Sequence, residues 1–146
     1  MPHFDRTLQI ARDDILARDL DQIVKRDTCV VISGEYQDPY TGAPMLFSKT
    51  RAEYSPIDHV VPISFAWQMG ANSWPADKRL QFANDPLNLV LTSKTANLAK
   101  GDSDPASWLP PNRPIRCAYV LRFTQVALKY SMNHPGSTGD STSWEG

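Results

Sequence analysis

One histidine lies inside the chain with a carboxylate beside it, and this pair could carry acid–base or metal chemistry. The chain has three histidines; His3 and His134 lie near its ends, whereas His59 directly follows Asp58 in an apolar segment. A neutral imidazole can take a proton from water near pH 7. We therefore expect any histidine-dependent reaction on this chain to use His59.

Two asparagines follow the pair in an order that suits phosphodiester hydrolysis. That reaction needs a nucleophilic water and a positive charge to offset the charge on the phosphate. A hard divalent cation held by oxygen ligands supplies the charge, and Asp58 and Asn97 carry such oxygens. A strand with Asp58 and His59, a loop, a strand from Asn88 and a helix with Asn97 make the layout of a ββα metal site.

The adjacency of Asp58 and His59 sets a geometric condition on this site. Consecutive strand residues point to opposite faces, so the two side chains flank one phosphate only if the strand ends or bends there. Pro62 follows soon afterwards and favours such an end. Asn88 has two open roles: it fixes the local backbone, or it orients the imidazole.

Three segments resemble the motif of HNH endonucleases in its Asp-His…Asn…Asn variant: 57–62, 88–91 and 97–102. The variant is similar to the HNH nuclease domain of CRISPR effectors. Further segments within residues 10–131 resemble an actinobacterial group of HNH-family nucleases, many of them secreted.

The resemblance implies a role for each matching residue. Asp58 and Asn97 become the ligands of one divalent metal ion, His59 the general base and Asn88 the orienting catalytic asparagine. It also implies a DNA endonuclease that leaves 5′-phosphate and 3′-hydroxyl ends. Oxygen ligands favour Mg²⁺ or Mn²⁺ over Zn²⁺, which several histidines would favour.

The distribution of charge allows a nucleic-acid partner. The net charge is −1, yet residues 1–58 carry seven Lys/Arg against ten Asp/Glu, and residues 78–130 carry eight Lys/Arg against three Asp. A basic half is what a phosphate-facing surface needs, although an ordinary solvated face has the same composition. Lys94 and Lys100 are our candidates for contacts to substrate phosphates. DNA is the expected partner and RNA the alternative.

The elements that must position these residues can be read from apolar spacing and turn signals. We predict an α+β fold with a ββα-metal core of the HNH, or His-Me finger, type, flanked by an N-terminal and a C-terminal helix. The predicted helices are 5–26, 63–70, 75–83 with Ser73 as N-cap, 94–99 capped by Thr92 or Ser93 and stopped by Gly101, and 115–131. The predicted strands are 29–34, 45–47, 57–63 and 87–91, with a turn at 38–42.

A length of 146 residues fits one domain. We predict a single domain over residues 1–133 and a disordered tail over 134–146, where Gly, Ser, Thr and Asp dominate. No apolar run reaches the length of a membrane span, and residues 1–30 show no signal-peptide pattern. We therefore expect no membrane partner, and a cytoplasmic protein or one whose leader has been removed.

The remaining reactive residues leave alternatives open. Cys29 and Cys117 are the two cysteines; they either pair with each other or are buried thiols, and they cannot form a four-cysteine zinc site. Glu35 and Asp38 could form a second metal site, although an Asp before Pro in a turn needs no such role.

Two other functional classes compete with a nuclease. One is a nucleic-acid-binding module that keeps the HNH fold without turnover. The other is an interaction or toxin-like component that is active only with a partner, although no sequence feature indicates a protein partner. The presence of Asp58, His59 and Asn97 together argues against a retired site.

Overall fold

The fold is α+β, as predicted, with helices around two small antiparallel sheets. The computed structural model describes residues 12–132, so the predicted tail and residues 5–11 of the first predicted helix lie outside it. The helices are α1 (residues 12–19), α2 (Ile63–Gln68), α3 (Ala76–Ala83), α4 (Lys94–Lys100) and α5 (Arg116–Lys129). The strands are β1 (Asp21–Arg26), β2 (Val30–Gln37), β3 (Pro44–Ser48), β4 (Ile57–His59) and β5 (Leu89–Leu91).

The first sheet has the order β1-β2-β3, and both pairings are antiparallel. The predicted turn before β3 is confirmed, since the Gly42 N–H donates to Asp38 O at 2.7 Å. Gly42 has φ +80°, a conformation that glycine adopts without steric cost. The return strand at 45–47 is confirmed as part of β3.

The predicted helix 5–26 is wrong in its second half. Residues 12–19 are helical, but the chain then turns and residues 21–26 form β1. Gln22 has φ +51°, which no helix continues through, and β1 pairs with β2 through Val24 and Ser33. Ile23 and Val24 suit a strand because they are β-branched, and Val24 is 54% exposed, so it belongs to no buried helical face.

The second sheet carries the motif. β4 and β5 pair antiparallel, with Asp58 opposite Val90 and His59 opposite Leu89. β5 is shorter than predicted because Pro86–Asn88 form a 3₁₀ turn, in which the Asp85 carboxylate accepts from the Leu87 N–H at 3.0 Å. Together with α4, the two strands form the predicted ββα arrangement.

Helix α4 has the predicted ends. The Ser93 hydroxyl accepts from the Ala96 N–H at 3.2 Å, as an N-cap does, and Gly101 ends the helix at φ +55°. The predicted N-cap of α3 is wrong: Pro75 is the N-cap, and Ser73 lies in the preceding 3₁₀ turn. Proline keeps Trp74 extended (ψ 152°), which separates Ser73 from the helix.

Two hydrophobic clusters hold these elements together. The larger joins the end of β4 to α2, α3 and α5 through Val60, Val61, Ala66, Phe82 and Phe123. The smaller joins α1, the three-stranded sheet and Leu91 of β5. Within residues 12–132, no helix combines the length and apolar character that crossing a bilayer requires.

Of the two alternatives for the cysteines, the structure has unpaired thiols, but Cys29 and Cys117 are both exposed instead of buried. Cys29 lies in the turn between β1 and β2, and Cys117 is the second residue of α5. Exposure removes the burial that was expected of unpaired cysteines.

Candidate active site

His59 is the last residue of β4, and its ring is oriented by a backbone carbonyl. Its Nε2 lies 2.9 Å from the carbonyl oxygen of Ala83, at the end of α3. A carbonyl can only accept, so Nε2 carries the hydrogen of the neutral ring. The lone pair then lies on Nδ1, which is the nitrogen able to accept a proton.

Burial keeps this imidazole neutral. It lowers the pKa of His59 below 6.5, and the charge of Lys100 acts in the same direction, against the hydrogen bond to Ala83 and the charge of Asp58. A ring with a lowered pKa is unprotonated at pH 7, as a general base must be.

Asp58 points to the opposite face of β4, as alternation along a strand requires. Its carboxylate is 6% exposed and accepts from the Tyr40 hydroxyl at 2.7 Å, while the Lys100 ammonium lies 3.0 Å away. Burial and the charge of Asp58 raise the pKa of Tyr40, which keeps its hydroxyl a neutral donor. The strand ends at His59, and the chain bends at residues 60–61.

Lys100 connects α4 to β4. Its side chain is fully buried, and its ammonium donates to the carbonyl oxygen of His59 at 2.7 Å and to Asp58. Burial lowers the pKa of Lys100, and the charge of Asp58 opposes that change. In this position the ammonium faces no solvent, so a phosphate contact by Lys100 has no support here. Lys94 is exposed, with its ammonium 5.5 Å from the ring centroid of Tyr54.

Asn88 positions the backbone and cannot touch a substrate, because it is 0% exposed. Its Oδ1 accepts from the Val61 N–H at 2.7 Å, and its Nδ2 donates to the Val61 carbonyl at 3.1 Å. Its own carbonyl accepts from the Val60 N–H at 2.9 Å. Of its two predicted roles, the structure has the first: Asn88 fixes the two residues that follow His59.

Asn97 shares a face of α4 with Lys100, since residues three apart on a helix are neighbours. Asn97 is half-buried, and the Lys100 ammonium on the same helix lies 3.0 Å from the Asp58 carboxylate. Carboxylate and amide oxygens are donors of the class that Mg²⁺ and Mn²⁺ take. Within residues 12–132, no cluster of three or more His, Cys, Asp or Glu could hold a metal ion.

A buried hydroxyl near Asp58 has no protein partner. Across the described part of the chain, Tyr119 Oη is the one buried side-chain oxygen or nitrogen without a hydrogen bond. Burial and the charges of Asp58 and Asp104 raise the pKa of Tyr119, so this neutral hydroxyl is close to the carboxylate. A hydrated cation at Asp58 fits this surrounding, because a water molecule could donate to the hydroxyl oxygen.

A cleft of about 470 Å³ opens beside His59. Ile57 and Leu89, on the same face of the second sheet as His59, form its apolar side. Arg12, Glu53 and Asn84 supply its polar groups. The volume is within the range of small-ligand sites, so the cleft has room for part of a nucleotide chain.

The suggested second metal site is not assembled. Asp38 is 0% exposed, and its carboxylate accepts from Thr92 Oγ1 at 2.6 Å and from Thr41 Oγ1 at 2.8 Å. Burial favours a raised pKa for Asp38, but these and neighbouring hydrogen bonds outweigh it and lower the pKa. Asp38 therefore holds the turn before β3 against β5, while Glu35 is exposed on β2.

Three contributors to the site escaped the sequence-based prediction: Ala83, Tyr40 and Arg12. Ala83 acts through its carbonyl, which every residue type possesses. Tyr40 lies in a turn that the Asp-Pro and Gly signals already explained. Arg12 was predicted only as part of a helix, because nothing in the sequence relates it to His59.

Comparison with known proteins gives a family and one relative. Residues 9–134 match the family described as GmrSD restriction endonucleases, C-terminal domain. An uncharacterized secreted protein of Arthroderma benhamiae is 38% identical over 124 residues, which cover 84% of this chain and 59% of that protein. The chain thus spans about three-fifths of that relative's length. No solved structure matches the chain.

Proposed function

We propose, on the premise that this chain belongs to the family of GmrSD restriction endonuclease C-terminal domains, that it is a metal-dependent endonuclease of the HNH type that hydrolyses DNA. The family name supports a nuclease acting on DNA. The residues around His59 support the HNH mechanism, and the resemblance to HNH endonucleases implies 5′-phosphate and 3′-hydroxyl products.

The observation that carries this proposal is the hydrogen bond from His59 Nε2 to the Ala83 carbonyl. It fixes the neutral ring with its lone pair on Nδ1, beside a cleft that admits a nucleotide chain. The cleft beside the ring gives a reacting group access to His59, which a structural histidine does not require.

The proposed metal site uses side chains of β4 and α4. Asp58 and Asn97 would hold one Mg²⁺ or Mn²⁺, which when bound supplies positive charge for the phosphate and the leaving oxygen. Two protein ligands are few, and Mg²⁺ sites commonly use water and substrate phosphate for the rest. Lys100 already neutralises Asp58, so we expect metal to bind weakly until DNA adds its phosphate oxygens.

The reaction follows from this arrangement. His59 Nδ1 takes a proton from a water molecule as that water attacks phosphorus, and the bond from phosphorus to the 3′ oxygen breaks. The 3′ oxygen takes a proton from solvent, which leaves a 3′-hydroxyl and a 5′-phosphate. Asn88 and Lys100 hold the backbone at and after His59, so the ring keeps its orientation during the reaction.

Nicking of supercoiled plasmid tests the proposal. The purified protein is incubated with Mg²⁺, Mn²⁺, Zn²⁺ or EDTA, beside the variant His59→Ala. We expect metal-dependent nicking that falls by about 10²–10⁴-fold in the variant, the range for loss of a general base. His3→Ala and His134→Ala are matched controls that should nick like the wild type.

The other outcomes each point to a rival. Equal nicking by His59→Ala would place the base elsewhere. DNA binding without nicking under any metal would favour a binding module that requires a partner.

A further inference from the structure

We propose that Arg12 is a substrate-binding residue that contacts a DNA phosphate in the cleft beside His59; the proposal rests on the nuclease function. Arg12 is the first described residue of α1 and lines the same cleft as His59. Nothing in the motif segments includes Arg12, because they begin at residue 57.

The site lacks another basic group at this position. Lys100, one of the two predicted phosphate contacts, is fully buried against Asp58. The other, Lys94, lies against Tyr54 and does not line the cleft. Of the residues lining the cleft in the described part of the chain, Arg12 is the one with a permanent positive charge.

Arg12 is also available for a ligand. Its side chain is exposed, and none of the ion pairs found within residues 12–132 engages it. A guanidinium offers two parallel N–H donors to two phosphate oxygens, a geometry that lysine cannot match.

The neighbouring Glu53 gives the cleft a charge of opposite sign. It is exposed and lines the same cleft as Arg12. A carboxylate repels the phosphate backbone, so the two residues should change DNA affinity in opposite directions. The remaining lining near His59 is mainly apolar, for example Ile57 and Leu89, which leaves Arg12 as the group that recognises phosphate.

Salt-dependent DNA binding tests the proposal without turnover. A labelled DNA duplex is titrated with the inactive His59→Ala protein across a range of salt concentrations, and anisotropy is recorded. Adding Arg12→Gln should weaken binding and reduce the slope of log K against log salt by about 0.9, the value for one phosphate contact. Arg12→Lys should restore the slope and part of the affinity, whereas Glu53→Gln should tighten binding.

The matched control is Arg26→Gln, which removes the same charge from the exposed end of β1, away from the cleft. An Arg12→Gln slope equal to that of Arg26→Gln would overturn the proposal. Wild-type nicking is measured in parallel. Normal wild-type nicking together with an unchanged slope for Arg12→Gln would contradict only the Arg12 contact. Absent nicking together with a reduced slope would contradict the nuclease function and would support the phosphate contact.

Discussion

At the scale of single residues, His59 and Asp58 perform different tasks because neighbouring strand positions face different surroundings. His59 faces Ala83 and the cleft, where burial favours the neutral ring. Asp58 faces Tyr40 and Lys100, where a hydroxyl and an ammonium stabilise the carboxylate. The two adjacent side chains therefore lie in different environments, a neutral ring beside the cleft and a buried carboxylate paired with an ammonium.

The lowered pKa of His59 makes a prediction about pH. Burial lowers this pKa below 6.5, so the base stays neutral and active in mildly acidic solution. The folded protein binds this proton less tightly than the unfolded chain. The contribution of neutral His59 to the free energy of unfolding is therefore complete above pH 6.5, and it is lost as the pH falls through the lowered pKa. We expect kcat/KM for nicking, at fixed metal concentration, to lose half its value only below pH 6.5.

A spectroscopic measurement separates this effect from any effect of bound metal. The ring resonance of His59, identified by its loss in His59→Gln, can be titrated by NMR in EDTA. A midpoint above 7 in that titration would contradict the buried, carbonyl-bound ring.

At the scale of elements, α4 is attached to β4 by one buried ion pair. Lys100→Met removes the cation and leaves the Asp58 carboxylate buried without a charged partner. Breaking a buried pair in this way costs about 3–5 kcal/mol, so we expect the free energy of unfolding in denaturant to fall by that amount. If Asp58 holds the proposed metal, Mg²⁺ should restore part of the loss, because it would supply a positive charge next to Asp58.

Lys94→Met is the control on the same helix. Lys94 is exposed, so its loss should change the free energy of unfolding by no more than about 0.5 kcal/mol. Equal stability of the two variants would show that the Lys100 ammonium is in solvent, where it could contact a phosphate as the sequence suggested.

Elements with local signals could be predicted from the sequence. Ser93 and Gly101 mark the ends of α4 through their own side chain and backbone, and the structure has both ends there. β1 could not be predicted, because its pairing with β2 is a contact between segments and its apolar residues happened to continue the helical spacing. The predicted N-cap of α3 was wrong because Pro75, and not Ser73, occupies the N-cap position.

The positions of the candidate site residues could also be predicted from local sequence signals. The motif located Asp58 and His59 on β4, Asn88 just before β5 and Asn97 on α4, although their catalytic and metal-binding roles stay predictions. The burial of Lys100 could not be foreseen, because lysine is almost never fully buried unless it is paired.

At the scale of the whole molecule, the cleft lies where three separate parts of the chain meet the second sheet. Arg12 comes from α1, Glu53 from the 3₁₀ segment after β3, and Asn84 from the end of α3. The smaller hydrophobic cluster holds α1 against the first sheet and Leu91, so it also sets the position of Arg12 relative to His59. A change at Leu16 or Val31 of that cluster should therefore alter DNA binding without touching the motif.

The structure requires no covalent link between its N-terminal and C-terminal parts, which gives a last prediction. Cys29 and Cys117 are free and exposed, so both should react with Ellman's reagent in the folded protein, and a reductant should leave Tm unchanged. A disulfide closing so long a loop would stabilise the fold by roughly 4–5 kcal/mol. Cys29→Ser and Cys117→Ser should each change the unfolding free energy by no more than about 0.5 kcal/mol, as exposed substitutions do. No reactive thiol before reduction, together with a lower Tm after it, would mean that the two cysteines pair and that β1, β2 and α5 pack differently.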